Sequence, residues 1–292
     1  MNASHWTGLL IAAFAAALMS GAPTLGEPLT PAGSVNEPAS CATSPGLSAI
    51  QATLDRSASR IAASEPVTIV AMGSSSTLGV GASAPAMSYP SRLKQELNGR
   101  FPGIDIRVIN HGVGGQDVPE ELTRLERDVI AEHPDLVIWQ VGTNAVLRRD
   151  DLSADEQLIE RGISLMREGG IDVVLMDLQY APRVLARPAS VEMERLIAEM
   201  AQHAHVGLFR RFEIMQEWDR THQLAPASAI GADGLHMTDA SYGCLAKQLA
   251  DALALNWWTH AKLAKTANRS PDTIAGIHHS LGTQRAISSH QR

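Results

Sequence analysis

Short apolar runs alternate with amphipathic stretches through most of the chain. The apolar runs are rich in Val, Ile and Leu and cover 67–72, 105–109, 136–141, 171–176 and 206–209. Uninterrupted apolar runs of this length are typical of parallel strands that are covered on both faces. Helical spacing of apolar positions predicts helices at 91–98, 119–131, 154–167, 190–204 and 239–253. This alternation predicts an α/β fold, a three-layer α/β/α sandwich around a five-stranded parallel sheet.

The two ends of the chain differ from this central part. An apolar run at 8–19 followed by small residues predicts a signal peptide over 1–26, too short for a membrane span. We therefore expect export to the periplasm or the extracellular space, and no membrane span in the mature protein. Residues 27–45 contain four prolines and predict a flexible lead-in, and the polar residues 259–292 predict a disordered tail. The folded domain is then expected over 46–258.

Composition excludes several classes of partner and cofactor. The chain has 24 basic and 31 acidic residues, a net charge of −7 and 4% aromatic residues. A nucleic-acid-binding protein needs clustered Lys and Arg, so we expect no nucleic-acid partner. The glycine-bearing segments lack the spacing of a dinucleotide loop and the Lys of a phosphate loop, and the histidines lack ligand spacing. We therefore expect no cofactor and no metal.

The chain contains two cysteines, Cys41 and Cys244. Two cysteines in an exported protein favour one disulfide bond, which here would join the lead-in to the last predicted helix. Two unpaired, buried thiols are the alternative.

Four polar segments lie at the ends of predicted elements. Residues 73–77, 110–115 and 142–144 directly follow the first three predicted strands, and residues 233–236 precede the last helix. In an open parallel sheet, the loops beyond the carboxyl ends of the strands form the ligand crevice. The sequence therefore predicts that these segments converge on one edge of the sheet.

In this order, the four segments resemble the motif blocks of the SGNH (GDSL-like) hydrolases, over about residues 65–255. The matching residues are Gly73 and Ser75 in the first block, Asn110, Gly112 and Gly115 in the second, Gly142 and Asn144 in the third, and Asp233 and His236 in the fourth. The resemblance implies a flavodoxin-like sheet and a serine esterase.

The resemblance also implies a role for individual residues. It makes Ser75 the nucleophile, His236 its general base and Asp233 the carboxylate that orients the imidazole. It assigns the oxyanion hole to the backbone N–H groups of Ser75 and Gly115 and to the side-chain amide of Asn144.

Two positions depart from the family pattern. The family often has Asp before the nucleophile and after the third-block Asn, where this chain has Ser74 and Ala145. Three consecutive serines also leave Ser74 and Ser76 open as alternative nucleophiles.

Such a site hydrolyses carboxylic esters through an acyl-enzyme, and export together with the family resemblance favours short acyl groups such as acetyl on a glycan or small molecule. An O-acyltransferase would use the same triad, and a non-catalytic carbohydrate-binding protein on the same fold is a further alternative. Gln179 and Tyr180 follow the fourth predicted strand, where they would either contact substrate or form an ordinary loop.

Overall fold

The computed structural model describes residues 41–148 and 152–267, and side chains as far as residue 260 apart from that of residue 45. The predicted signal peptide, residues 27–40 of the predicted lead-in and residues 268–292 of the predicted tail lie outside the described residues. Among the described residues, no helix combines the length and the apolar character needed to cross a membrane.

Five parallel strands form one sheet in the order β2-β1-β3-β4-β5. This confirms the predicted α/β fold and its flavodoxin-like strand order. The strands are β1 (Val67–Gly73), β2 (Ile106–Gly112), β3 (Leu136–Gln140), β4 (Asp172–Met176) and β5 (Gly207–Phe209). The central strand β3 is buried at every position, because helices cover the sheet on both faces.

The helices surround the sheet in two groups. One group packs α13 against α2 and α4, and the other packs α8 against α5 and α10. The α-helices are α1 (Pro45–Ser48), α2 (Asp55–Ala63), α3 (Ser75–Leu78), α4 (Tyr89–Arg100), α5 (Val118–Thr123), α6 (Leu125–Asp128), α7 (Thr143–Arg148), α8 (Ser153–Glu168), α9 (Pro182–Leu185), α10 (Ala189–His203), α11 (Arg211–Arg220), α12 (Pro226–Ala229) and α13 (Asp239–Ala267). Single 3-10 turns occupy Pro85–Met87 and Ile130–Glu132.

The predicted helix over 119–131 is broken into α5, α6 and a 3-10 turn. The break falls at Arg124, whose side chain is buried and donates hydrogen bonds to the carbonyl oxygens of Gly73 and His111. Those carbonyls lie at the ends of β1 and β2, so a contact with the sheet overrides the local helical periodicity.

The last helix is longer than predicted. It passes the predicted domain boundary at 258 and continues into the predicted tail as far as Ala267. Trp257 is fully buried and its indole N–H donates to Ser57 Oγ at 2.9 Å, while Asn256 donates to the backbone of residues 50 and 52. These contacts hold α13 against α2 beyond the point where the sequence periodicity fades.

A disulfide bond joins Cys41 to Cys244, with Cα atoms 5.3 Å apart. It connects the first described residue to α13. Gln248 of the same helix donates to the carbonyl oxygen of Cys41 and accepts from Thr43, so the segment before α1 is held along α13.

Candidate active site

The serine turn α3 begins immediately after β1, at the carboxyl edge of the sheet. The turn packs against the adjoining end of β2, where Asn110 Nδ2 donates to the carbonyl oxygen of Thr77 at 2.9 Å. A Cβ atom at Gly112 would lie 2.1 Å from the backbone nitrogen of Leu78, so no larger residue fits there. Asn110 and Gly112 therefore let the serine turn pack directly on β2.

The three consecutive serines have different surroundings. Ser75 is half-buried, and its Oγ lies 2.9 Å from His236 Nε2. Ser74 and Ser76 are only 2% and 1% exposed, and both hydroxyls donate to Gln140 Oε1, at 2.8 and 3.1 Å. Of the three hydroxyls, that of Ser75 is the one positioned beside an imidazole.

A tight turn carries Asp233 and His236. The turn is closed by an antiparallel bridge between Ile230 and Met237, and the N–H of Gly231 donates to the carbonyl oxygen of His236 at 2.8 Å. Asp233 Oδ1 accepts the backbone N–H groups of residues 235 and 236, each at 3.0 Å. Its other oxygen, Oδ2, lies 2.5 Å from His236 Nδ1.

The serine turn and the histidine turn, distant in sequence, are joined by the segment that follows α3. Ser83 donates through its backbone N–H and its hydroxyl to Asp239, the first residue of α13, at 2.9 and 2.5 Å. The hydroxyl of Tyr242, one turn later, donates to the carbonyl oxygen of Val80 at 2.8 Å. These contacts fix the start of α13, and with it His236, against the loop that carries Ser75.

The protonation of this site follows from the Asp233 carboxylate. Partial burial acts to raise the pKa of Asp233, but hydrogen bonds from Leu235 and His236 outweigh it and lower this pKa to about 2. The carboxylate is therefore ionised at neutral pH and accepts a proton-bearing Nδ1. His236 Nε2 is then free to accept the hydroxyl proton of Ser75.

The proposed oxyanion donors lie on the loops after β2 and β3. Gly115 has φ +78°, a conformation that favours glycine. Asn144 Nδ2 donates to the carbonyl oxygen of Gln116 at 2.7 Å, and Arg148 donates to the carbonyl oxygen of Gly115. Helix α7 thus holds two successive peptides of the loop after β2, and one hydrogen of the Asn144 amide remains available.

Gln179 and Tyr180 lie at different depths. Gln179 is buried, and its Oε1 accepts from Thr143 Oγ1 at 3.0 Å and from Arg211 at 2.9 Å. Tyr180 is half-buried and meets the Phe212 ring edge-on, with centroids 5.3 Å apart. The Gln179 oxygen is thus engaged within the protein, and substrate contact by these two residues stays a prediction.

The sequence analysis did not predict two polar residues that lie near the site, Gln140 and Arg211. Gln140 is the only polar side chain in the apolar run of β3, and Arg211 begins α11 and is fully buried. A polar residue at the end of an apolar strand was the available signal for Gln140. Arg211 follows another arginine in an ordinary amphipathic stretch, so its burial had no signal in the sequence.

The described residues contain no group of three or more His, Cys, Asp or Glu side chains able to hold a metal ion.

A family model, that of the non-GDSL lipase-like family, matches residues 40–256. The chain belongs to the non-GDSL lipase-like family. This confirms the family-level resemblance seen in the motif blocks.

Two curated relatives of this family member are esterases. An arylesterase of Vibrio mimicus is 26% identical over 166 residues, covering 57% of this chain and 78% of the relative. An acetylxylan esterase of Geobacillus stearothermophilus is 38% identical over 80 residues, covering 27% of this chain and 33% of the relative. Together with the family model, these relatives put the chain among ester-hydrolysing enzymes.

Solved structures share the fold. A two-domain esterase active on acetylated mannans superposes with a TM-score of 0.61 at 21% identity, and the chain spans 56% of its length. The Geobacillus acetylxylan esterase superposes with a TM-score of 0.56 at 22% identity over 95% of its length. Solved variants of that enzyme that are described as catalytic mutants replace one serine, one aspartate and one histidine by alanine.

Proposed function

We propose that this protein hydrolyses carboxylic esters with Ser75 as nucleophile, His236 as general acid–base and Asp233 as the orienting carboxylate. The observation that carries the proposal is the continuous chain of contacts from Asp233 Oδ2 to His236 Nδ1 at 2.5 Å and from His236 Nε2 to Ser75 Oγ at 2.9 Å. Both distances suit proton transfer along the chain. The mutated serine, aspartate and histidine of the Geobacillus enzyme are the same three residue types.

The reaction proceeds in two halves. Ser75 Oγ attacks the ester carbonyl carbon while its proton passes to His236 Nε2, and the ester C–O bond then breaks as that proton is given to the leaving alcohol. A water molecule next gives its proton to His236 and attacks the acyl group on Ser75. The acid is released, and the proton returns to the serine oxygen. Asp233 stays ionised throughout and stabilises the transient imidazolium.

Each half passes through a tetrahedral intermediate with a negative oxygen. The proposed donors to this oxygen are the backbone N–H groups of Ser75 and Gly115 and the Asn144 amide. Three features support these donors. Ser75 is the first residue of a helical turn, where a backbone N–H has no partner within the helix. Gly115 lies in an exposed turn, and Asn144 keeps one amide hydrogen after donating the other to Gln116.

The proposed substrate is a short-chain ester, and specifically an acetyl ester of a glycan or of a small molecule. Support comes from relatives and fold neighbours described as acting on acetylated xylan and acetylated mannans.

We also propose that the protein is exported, with residues 1–26 as signal peptide and residues 46–258 as the core of the hydrolase domain. The disulfide between Cys41 and Cys244 supports this location, because such bonds persist in oxidising compartments and are rare in the cytosol.

The test is a series of nitrophenyl esters of increasing acyl length together with acetylated xylan and acetylated mannan. We expect turnover to be highest for acetyl and to vanish in Ser75→Ala, while Ser91→Ala, which loses a hydroxyl outside the site, keeps wild-type rates. Undiminished turnover in folded Ser75→Ala would remove the nucleophile from the proposal. Adding an acceptor alcohol and measuring the ratio of acid to new ester separates hydrolysis from acyl transfer.

A further inference from the structure

A buried hydrogen-bond network lies beneath the serine turn. Its centre is Gln140, the last residue of β3, whose side-chain oxygen accepts from the hydroxyl of Thr77 at 3.5 Å and from three closer groups of the turn. These are the backbone N–H of Ser74 at 3.0 Å, the hydroxyl of Ser74 at 2.8 Å and the hydroxyl of Ser76 at 3.1 Å. One acceptor therefore gathers the residues on both sides of Ser75.

Arg211 closes the network from the opposite side. Its guanidinium donates to Ser76 Oγ at 2.9 Å and to Gln179 Oε1 at 2.9 Å, and also to the carbonyl oxygen of Asp177. The Ser76 hydroxyl thus donates to Gln140 and accepts from Arg211. These two bonds use the single hydrogen of the hydroxyl and one of its lone pairs. The serine turn is tied in this way to β3, to the loop after β4 and to the start of α11.

This arrangement requires two polar side chains, Gln140 and Arg211, to be buried. Arg211 is fully buried, and burial lowers its pKa, against which the Asp177 carboxyl acts. Burying a guanidinium and a polar amide under a turn of four residues is unfavourable unless they are hydrogen-bonded, and Arg211 Nε has no partner among the described residues. Gln140 bonds to both neighbours of Ser75 and Arg211 bonds to one of them, Ser76, so the two side chains hold the turn on both sides of the Ser75 hydroxyl.

We propose that Gln140 and Arg211 are positioning residues for the nucleophile, an inference that rests on the proposed function. They hold Ser74 and Ser76 so that the Ser75 hydroxyl faces His236 Nε2 and its backbone N–H stays free. Gln140 thereby fixes Ser74, the residue before the proposed nucleophile. At this position the GDSL pattern has Asp. Neither residue touches substrate.

The experiment compares two substitutions at one position. Gln140→Met has a similar volume and lacks the acceptor, whereas Gln140→Glu keeps an oxygen acceptor beside Arg211. We expect Gln140→Met to lower kcat by about 10–10²-fold with little change in KM, the size of effect that a small misplacement of a reacting group produces. We expect Gln140→Glu to recover most of that loss.

A second readout reports Ser75 directly. The rate at which a fluorophosphonate labels Ser75, corrected for the folded fraction, should fall with kcat in Gln140→Met. Gln248→Met is the matched control, because Gln248 is also buried and its side-chain oxygen also accepts a hydrogen bond, here from Thr43, while its amide donates to Cys41. It should lower the melting temperature and leave kcat and labelling per folded molecule unchanged.

The outcomes separate the two proposals. If Ser75→Ala is inactive but Gln140→Met turns over and labels like wild type, the positioning role is wrong and the proposed function stands. If Ser75→Ala keeps its turnover, the proposed function itself is wrong. Should Gln140→Met fail to fold, Ser76→Ala removes the hydroxyl shared by both anchors, and an unchanged kcat in that variant would equally overturn the positioning role.

Discussion

Replacing Asp233 by Asn separates two tasks that this carboxylate performs. Its Oδ1 accepts the backbone N–H groups of Leu235 and His236, and its Oδ2 accepts from His236 Nδ1 at 2.5 Å. An Asn side chain retains an oxygen for the two backbone groups but presents an NH₂ group to Nδ1. Nδ1 must then accept a hydrogen bond and Nε2 carries the proton, so the imidazole can no longer take the proton of Ser75.

The size of the loss follows from the exposure of the site. In a buried triad, the Asp-to-Asn change lowers kcat by about 10⁴-fold, or roughly 5.4 kcal/mol at 1.36 kcal/mol for each factor of ten. The Asp233 side chain is 46% exposed, so water competes for Nδ1 and the correct tautomer stays partly populated. We therefore expect a loss of about 10³-fold, equal to about 4 kcal/mol of transition-state stabilisation.

The assay is kcat for a short-chain nitrophenyl ester, measured with Asp233→Asn and Asp233→Ala beside wild type. The Asn variant should melt at the wild-type temperature because the turn keeps its acceptor, whereas the Ala variant should lose both activity and some stability. In wild type the pKa of Asp233 is about 2, so its ionisation sets no limit on activity above about pH 4. An Asn variant with more than a tenth of wild-type kcat would refute the reasoning.

Three further predictions concern other parts of the molecule. Asn144→Ala should lower kcat by about 10²–10³-fold with little change in KM, and wild-type kcat would exclude it as an oxyanion donor. Burial and Asp177 raise the pKa of Glu194 above 4.5, so wild-type stability falls as pH rises from there towards the raised value. Glu194→Gln should remove that fall, giving a melting-temperature advantage that grows with pH; a constant difference would contradict the raised pKa of Glu194. Cys41→Ser should lower the free energy of unfolding by up to about 5 kcal/mol, because the bond to Cys244 closes a loop of 203 residues. A reducing agent should reproduce the effect in wild type and change nothing in the variant.

The sheet could be predicted from the sequence because its strands are buried on both faces. Continuous apolar runs mark β1, β3, β4 and β5 to within one residue at either end. The edge strand β2 is the exception: it continues through Asn110 and His111 to Gly112, pairing with Ala71, Met72 and Gly73 of β1. Backbone pairing at a half-exposed edge leaves little trace in side-chain polarity.

Among the helices that were not predicted, α2 and α11 are the longest. Helices α2 and α11 span only 9 and 10 residues, and more than half of the residues in each are polar or charged. Both helices are held by hydrogen bonds to residues that are distant in the sequence. Arg56 and Ser57 of α2 bind Asp172, and Phe212 of α11 donates to Asp177, both of them residues of or beyond β4. Long-range hydrogen bonds of this kind cannot be read from local spacing.

The residues of the proposed triad and the residues that support them differ in how far the sequence reveals them. Ser75, Asp233 and His236 stand in short motifs at element ends, where residue type and spacing together indicate their chemistry. Gln140 and Arg211 have no such motif. Each is recognisable only through partners, and those partners come from the serine turn and from the loop after β4, which become neighbours when the sheet forms. A sheet with Met at position 140 would satisfy every apolar pattern in the chain, yet it would leave Ser74 and Ser76 without their shared acceptor. Tertiary hydrogen bonds, and not the local sequence, therefore set which of the three serine hydroxyls lies beside the imidazole.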